Sequence, residues 1–192
     1  MPRTKQIPRP KVQFQHDELT APFTVTRQTS TLMPDRRGDQ PFDALFVLDK
    51  VSTTIIDEVL ERNAENTADH FFWLAEEESE ALPFDPADGS TKPHIPADWI
   101  SPFVGQTVED AFTFLSRIPL DRRLGREFIA VLDRRLYNEK DWLVTYRIDG
   151  EGEITSVPCK AELTCMQMRS YGNHNWPTFM DDWLRDGTPI LS

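Results

Sequence analysis

The stretch Glu127–Val157, EFIAVLDRRLYNEKDWLVTYRIDGEGEITSV, decides the fold that this sequence predicts. It opens with an apolar run, Phe128–Asp133, and continues into Trp142–Ile148, where large apolar side chains recur at every second position. A period of two is typical of a β-strand with one buried face. The link Tyr137–Lys140 predicts that these two strands form an antiparallel hairpin.

The residues after this hairpin predict a further turn and a terminal helix. Asp149–Gly152 is a turn, so that residues 154–157 can pair with the preceding strand. Leu163–Met168 fits either a strand or a helix. The last helix is predicted between Pro177, which suits a first helical turn, and Gly187, which suits a left-handed terminating residue. Its apolar face comprises Phe179, Met180, Trp183 and Leu184.

The first half of the chain predicts two buried strands and two helices. Phe42–Asp49 and His70–Leu74 are short apolar runs, whereas Thr53–Asn63 and Thr107–Ile118 carry apolar residues at helical spacing. The order predicts one α+β domain, residues 23–192, on a single mixed sheet with a C-terminal antiparallel hairpin and about three helices. Within that domain we expect Trp183 to anchor the last helix in the core.

Residues 1–22 are polar and interrupted by proline, which predicts a disordered or extended leader. Residues 1–11 carry four basic and no acidic side chains, although the chain as a whole has a net charge of -11. The leader is either a solvated segment or a docking arm. Residues 3–6, RTKQ, resemble the start of a histone tail, and a match of four residues is better explained by chance.

Composition excludes several classes of protein. An acidic body argues against general binding to nucleic acid or to anionic membranes, because both need a positive field. No apolar run approaches the length of a membrane span, and the N-terminus lacks the apolar stretch of a secretory signal. Only two cysteines are present, so we expect a reduced, cytoplasmic protein, with the nucleus as the other location. The sequence predicts no cofactor and no metal site.

Two predicted strands share an ending that offers candidate catalytic residues. Leu48-Asp49-Lys50 and Leu132-Asp133-Arg134 each place an aspartate after a buried strand. Open α/β sheets hold functional carboxylates at this position. In the alternative interpretation, which we favour, the aspartates mark where each strand leaves the core for water.

A polar segment before the last helix is the second candidate. His174 could act as a general base, with Tyr171, Asn173 and Asn175 as binding residues around it. The alternative is that the asparagines cap the helix and form a turn. No nucleophile accompanies His174 in the sequence, so the structural interpretation is favoured.

From Phe128 onward the chain resembles a family of uncharacterised domains, domain of unknown function 6924. The resemblance rests on Phe128–Asp133, on Trp142–Ile148, and on the asparagine-containing segment that leads into an acidic, aromatic helix, Asn173–Trp183. It covers about sixty residues, and His174 and Trp176-Pro177 depart from the family pattern. It implies a fold and transfers no role to any residue.

The leading hypothesis is a macromolecule-binding or regulatory module, whose partner is another protein. The missing catalytic motifs, the acidic body and the proline-rich segment 83–102 favour it. The alternative is a small-molecule enzyme in which His174 acts as acid or base with Asp49 or Asp133 nearby.

Overall fold

The computed structural model describes residues 42–67, 72–76, 90–170 and 176–187. They contain five strands, β1 (Phe42–Phe46), β2 (Phe72–Leu74), β3 (Leu124–Val131), β4 (Trp142–Ile148) and β5 (Ile154–Lys160). They also contain five α-helices and a 3-10 turn, Ala161–Leu163; the helices are α1 (Thr53–Thr67), α2 (Val108–Arg117), α3 (Arg134–Lys140), α4 (Thr164–Ser170) and α5 (Trp176–Asp186). All belong to one unit, Asp35–Ser192, and the predicted leader lies outside the described residues.

The strands form one mixed sheet in the order β2-β1-β3-β4-β5. β1 pairs in parallel with both neighbours, and Phe46 lies opposite Val131 of β3. β3, β4 and β5 pair in antiparallel fashion, with Thr145 of β4 opposite Ala130 and Val157. The fold is therefore α+β on a single mixed sheet, as the sequence predicts.

Helices cover both faces of this sheet. Successive side chains of a strand point to opposite faces, so a strand such as β1 contributes to two separate cores. Leu45 of β1 belongs to a first core, which also contains residues of α1 and α4 together with Trp176. Its neighbours Ala44 and Phe46 belong to a second core with α2 and Phe103. A strand buried on both faces reads as a continuous apolar run, which explains the first strand of the sequence.

Local signals set the ends of α2. The Thr107 side chain accepts a hydrogen bond from the Asp110 backbone amide, and the Asp110 carboxylate accepts one from the Thr107 amide, which together form a capping box. At the other end, the Arg126 guanidinium of β3 donates to the last carbonyl groups of the helix and of the segment after it. Both ends of α2 are thus closed by side chains.

The C-terminal hairpin joins β4 to β5 through the predicted turn. The Asp149 carboxylate accepts hydrogen bonds from the backbone amides of Glu151 and Glu153, each at 2.9 Å. β5 is an edge of the sheet in the described part of the chain, and Pro158 lies in its middle, opposite Val144.

The link between β3 and β4 is different from the predicted tight turn. The strands are antiparallel, but α3 connects them. Asp133 caps α3, and Asp141 ends it in the left-handed conformation with φ 63°. The described residues contain five α-helices where the sequence predicts about three, because α3 and α4 are short and leave weak periodic signals.

The terminal helix has a partly different apolar face from the predicted one. Trp176 is buried against the first core, and Phe179, Met180 and Trp183 pack on it while partly exposed. Leu184 is 74% exposed, so its assignment to the buried face was wrong. Gly187 adopts φ 63° and donates to the Trp183 carbonyl, as expected of a terminating glycine.

None of the helices in the described ranges combines the length and the apolar character that crossing a bilayer requires.

Candidate functional site

The carboxyl ends of β1 and β3 meet at one edge of the sheet. The chain leaves β1 through α1, which packs on the first core, and reaches β3 from α2, which packs on the second core. The strand order therefore reverses at β1. In open α/β sheets, a crevice for ligands forms outside the carboxyl ends of the strands at such a reversal.

A cavity of about 560 Å³ lies at this position, and we call it the switch-point groove. Its volume falls within the range of ordinary ligand sites. The lining comes from the segment after β1, from the loop before α2 and from α3: Leu48, Asp49, Lys50, Val104, Gly105, Arg134, Arg135 and Asn138.

Helix α3 holds two of the cations in the groove. The backbone amide of Leu132 donates to the Phe46 carbonyl at 2.9 Å, which continues the parallel pairing just beyond β3. Asp133 Oδ1 then accepts a 2.8 Å hydrogen bond from the Leu136 amide and starts the helix. Arg134 and Arg135 consequently project from the first turn of α3 into the groove.

The opposite wall of the groove is tied to the end of β1. The Gly105 amide donates to the Leu48 carbonyl at 2.9 Å. Gly105 adopts φ 83°, a conformation that glycine reaches without the steric penalty of a side chain. This contact fixes the loop beside Asp49 and Lys50.

The groove carries a positive charge on an acidic protein. Lys50, Arg134 and Arg135 outnumber the single carboxylate, Asp49, in its lining. Arg135 approaches Glu139 only at 4.0 Å, and both side chains are more than half exposed. Among the described residues, Lys50 and Arg134 form no ion pair within 4.0 Å. These cations are therefore available to a ligand.

A second, smaller cavity adjoins the groove, and we call it the Trp99 pocket. Its volume is about 230 Å³, and it shares Asp49, Lys50 and Val104 with the switch-point groove. The remaining lining is mainly apolar: Val47, Val51, Trp99, Ile100 and Ser101. The two cavities therefore form one continuous surface with a cationic part and an apolar part.

The structure brings the two predicted aspartates to the same sheet edge. Asp49 is exposed and lines both cavities, whereas Asp133 is partly buried and caps α3. The other predicted site residues belong to the polar segment before the last helix, and they lie outside the described residues: Tyr171, Asn173, His174 and Asn175. The sequence therefore located the strand ends, but it did not identify Lys50, Arg134 and Arg135 as one binding surface.

The opposite end of β1 contains a buried ionisable cluster. Asp43 is 7% exposed, and its Oδ2 lies 3.8 Å from Arg169 Nε. Burial raises the pKa of the Asp43 carboxyl from 3.8 to about 7, although Arg169 and Cys165 act in the lowering direction. The cost of taking the carboxylate out of water thus exceeds its attraction to the guanidinium.

Both cysteines are buried and free. Burial raises the pKa of Cys159 to about 12 and raises the pKa of Cys165 well above its ordinary value. A thiol that stays protonated is a poor nucleophile and a poor metal ligand. Within the described ranges, no group of three histidine, cysteine, aspartate or glutamate side chains is arranged to hold a metal ion.

Comparison with protein-family models, with curated proteins and with solved structures gives no match for this chain in any of the three. The resemblance to domain of unknown function 6924 accordingly stays a prediction from the sequence.

Proposed function

We propose that this domain is a protein-binding module, and that the switch-point groove is the surface that receives its partner. The observation that carries the proposal is the meeting of Lys50, Arg134 and Arg135 in one groove at the carboxyl ends of β1 and β3. A cationic groove favours an acidic segment of the partner through charge complementarity.

The exposure of the groove supports a polypeptide ligand over a small molecule. Lys50, Arg134 and Asn138 are all exposed, so a ligand lying on them stays in contact with water. Sites for small molecules usually bury most of the ligand surface. An extended acidic segment can instead lie along an open groove and use several weak charge contacts together.

The negative charge of the rest of the protein would make an acidic ligand bind selectively at the groove. The chain has a net charge of -11, which repels acidic ligands from most of its surface. Besides the basic residues 1–11, the groove is a local exception to this negative charge, with three cations and one carboxylate. An acidic partner is therefore directed to this edge of the sheet, and its association should weaken as salt screens the charges.

The same proposal places the protein in the cytoplasm or the nucleus, where the free thiols Cys159 and Cys165 would stay reduced.

The test is a comparison of three immobilised proteins in a native extract, with bound proteins identified by mass spectrometry. The first is the wild type, and the second is a groove variant with Lys50→Gln, Arg134→Gln and Arg135→Gln. We expect a partner that binds the wild type at low salt and does not bind the groove variant. Direct titration of the purified partner then measures the loss of affinity.

The third protein is a control variant with the same change of net charge, Lys92→Gln, Arg117→Gln and Lys140→Gln. These cations are exposed and line neither cavity. The control should bind the partner as the wild type does. If the groove and control variants bind it equally well, the groove is not the binding surface and the proposal is wrong.

The second candidate function is a small-molecule enzyme with His174 as acid or base. The observation in its favour is that Asp49 lines the groove and Asp133 lies at its rim, immediately before Arg134. The test is a screen for turnover with wild type and His174→Ala. Turnover that His174→Ala abolishes, with an unchanged melting temperature, would support the enzyme and argue against a pure binding module.

A further inference from the structure

The Trp99 pocket indicates what kind of acidic segment the groove receives, and this inference rests on the proposed function. The pocket shares Asp49, Lys50 and Val104 with the switch-point groove, so a ligand in one cavity reaches directly into the other. The groove offers charge, and the pocket offers apolar surface. One ligand that uses both must carry acidic and apolar groups side by side.

The loop that forms part of the Trp99 pocket is held by one hydrogen bond to α1 and by others within the loop itself. The Ile95 amide donates to Asp57 Oδ1 on α1 at 2.8 Å, and the Trp99 amide donates to the Pro96 carbonyl at 2.9 Å. Ser101 Oγ accepts from the Phe103 amide at 3.1 Å. The loop therefore presents a preformed pocket, which reduces the entropy lost on binding.

Trp99 and Ile100 give the pocket its apolar character. Trp99 is partly buried and packs against the first core, so its ring has a fixed position. Ile100 is 74% exposed at the pocket. A single exposed apolar side chain is ordinary on a protein surface, but one beside a cavity that contains a tryptophan provides area for an apolar group of a ligand.

We propose that the ligand of this surface is an acidic peptide segment with one large apolar side chain among its acidic residues. The apolar side chain enters the Trp99 pocket and covers Ile100. The neighbouring carboxylates reach Lys50 in the shared wall and Arg134 and Arg135 in the groove. Asp49, in the shared wall, accepts a hydrogen bond from a backbone amide of the peptide and disfavours a carboxylate at the pocket itself.

The test uses short fluorescein-labelled peptides rich in glutamate and serine, with one central residue that is either phenylalanine or alanine. Binding to the full-length protein is measured by fluorescence anisotropy at low salt. We expect the phenylalanine peptide to bind about tenfold more tightly, which corresponds to about 1.4 kcal/mol. This preference should vanish in Ile100→Ser.

Leu120→Ser is the matched control, because Leu120 is 73% exposed and lines neither cavity. It should keep the full preference for phenylalanine. In addition, the phenylalanine peptide should shift the Trp99 indole N–H resonance in a heteronuclear NMR spectrum, assigned with Trp99→Phe.

The outcomes separate the two proposals. If both peptides bind equally to the wild type and lose affinity in the groove variant, the apolar requirement is wrong and the proposed function stands. If the preference survives in Ile100→Ser and the Trp99 resonance does not move, the apolar group binds elsewhere and the inference is overturned. If neither peptide binds the wild type at low salt, both proposals fail.

Discussion

Arg126 Nη2 donates a 2.7 Å hydrogen bond to the carbonyl oxygen of Ile118, so that a strand side chain closes the end of the helix beside it. The same guanidinium donates to Leu115 O at 2.9 Å and to Pro119 O at 2.7 Å. The last carbonyl groups of an α-helix have no partner within the helix. Arg126 supplies a side-chain donor to the carbonyl groups at this end and joins α2 to β3.

Arg126→Ala should therefore destabilise the protein by about 2 kcal/mol, the typical loss when a charged hydrogen-bond donor is removed. Urea denaturation followed by circular dichroism measures the change. Arg126→Lys should recover only part of the loss, because an ammonium group lacks the planar fork of the guanidinium. Arg117→Gln, an exposed change at the same end of α2, is the control. Equal stabilities of Arg126→Ala and wild type would contradict the assigned role.

Asp43 should make stability depend on pH. An ordinary aspartate titrates at 3.8, whereas burial raises the pKa of Asp43 in the folded protein to about 7. Between these values the folded state holds more protons than the unfolded state, so the contribution of Asp43 to the free energy of unfolding falls as pH rises. Below 3.8 this contribution is fully present, and above about 7 it is lost.

The measurement is a series of urea denaturations across this pH window, with wild type and Asp43→Asn. The variant keeps the shape of the side chain without its charge, so its stability should vary less with pH than that of the wild type. Asp98→Asn, an exposed change, should leave the dependence as it is. A curve for Asp43→Asn that runs parallel to the wild-type curve would show that Asp43 does not titrate in this range.

Asp141 combines a strained backbone with an ion pair, and substitutions can separate the two. It adopts φ 63°, and its Oδ1 lies 2.7 Å from Arg62 Nη1. Asp141→Ala and Asp141→Gly both lose the ion pair, but only alanine places a Cβ in the left-handed conformation without a local polar group. We expect Asp141→Ala to be less stable than Asp141→Gly by about 1 kcal/mol. Equal unfolding free energies would mean that the left-handed conformation is not kept.

Trp176 is the fully buried tryptophan of the last helix, whereas Trp183, the predicted anchor, is only partly buried against the same core. Trp176 is 4% exposed, and its ring lies tilted against Phe128 with the ring centres 5.5 Å apart. Its Nε1 donates to Thr155 Oγ1 at 3.0 Å. Trp183 is partly exposed and contacts Trp142 edge to face, with ring centres 6.0 Å apart. Of these two tryptophans, only Trp176 is therefore fully buried.

Trp176→Ala should consequently cost about 3–5 kcal/mol. Trp183→Ala should cost about 2 kcal/mol, since part of that side chain already contacts water. Thermal melting of the two variants gives the ranking, and Trp176→Phe distinguishes the ring from the hydrogen bond. A larger loss in Trp183→Ala than in Trp176→Ala would reverse the assignment.

The sequence predicts the strands better than the connections between them. The apolar run at β1 and the alternation in β4 were sufficient to predict these two strands, because burial on one or both faces of a sheet determines such patterns. The link between β3 and β4 was predicted wrongly as a tight turn. Its helix depends on capping by Asp133 and on the left-handed Asp141, and neither residue type indicates a seven-residue helix by itself.

The periodicity of the sequence could not predict the surface formed by the switch-point groove and the Trp99 pocket. Lys50 and Arg134 share a groove because β1 pairs in parallel with β3, a contact between segments far apart in the sequence. The repeated ending, leucine, aspartate and a basic residue, was the only signal, and it is too short to specify a pairing. The Trp99 pocket depends on loop contacts such as Ile95 with Asp57, which leave no sequence pattern.

Pro158 in the middle of β5 has a consequence for association between molecules. An edge strand exposes unpaired backbone groups, which can template the addition of a strand from another chain. A proline has no N–H group, so a foreign strand along β5 would lose a hydrogen bond in the middle of the ladder. At the other edge in the described part of the chain, β2 has only three residues. Both edges formed by the described strands therefore disfavour growth into intermolecular β-structure.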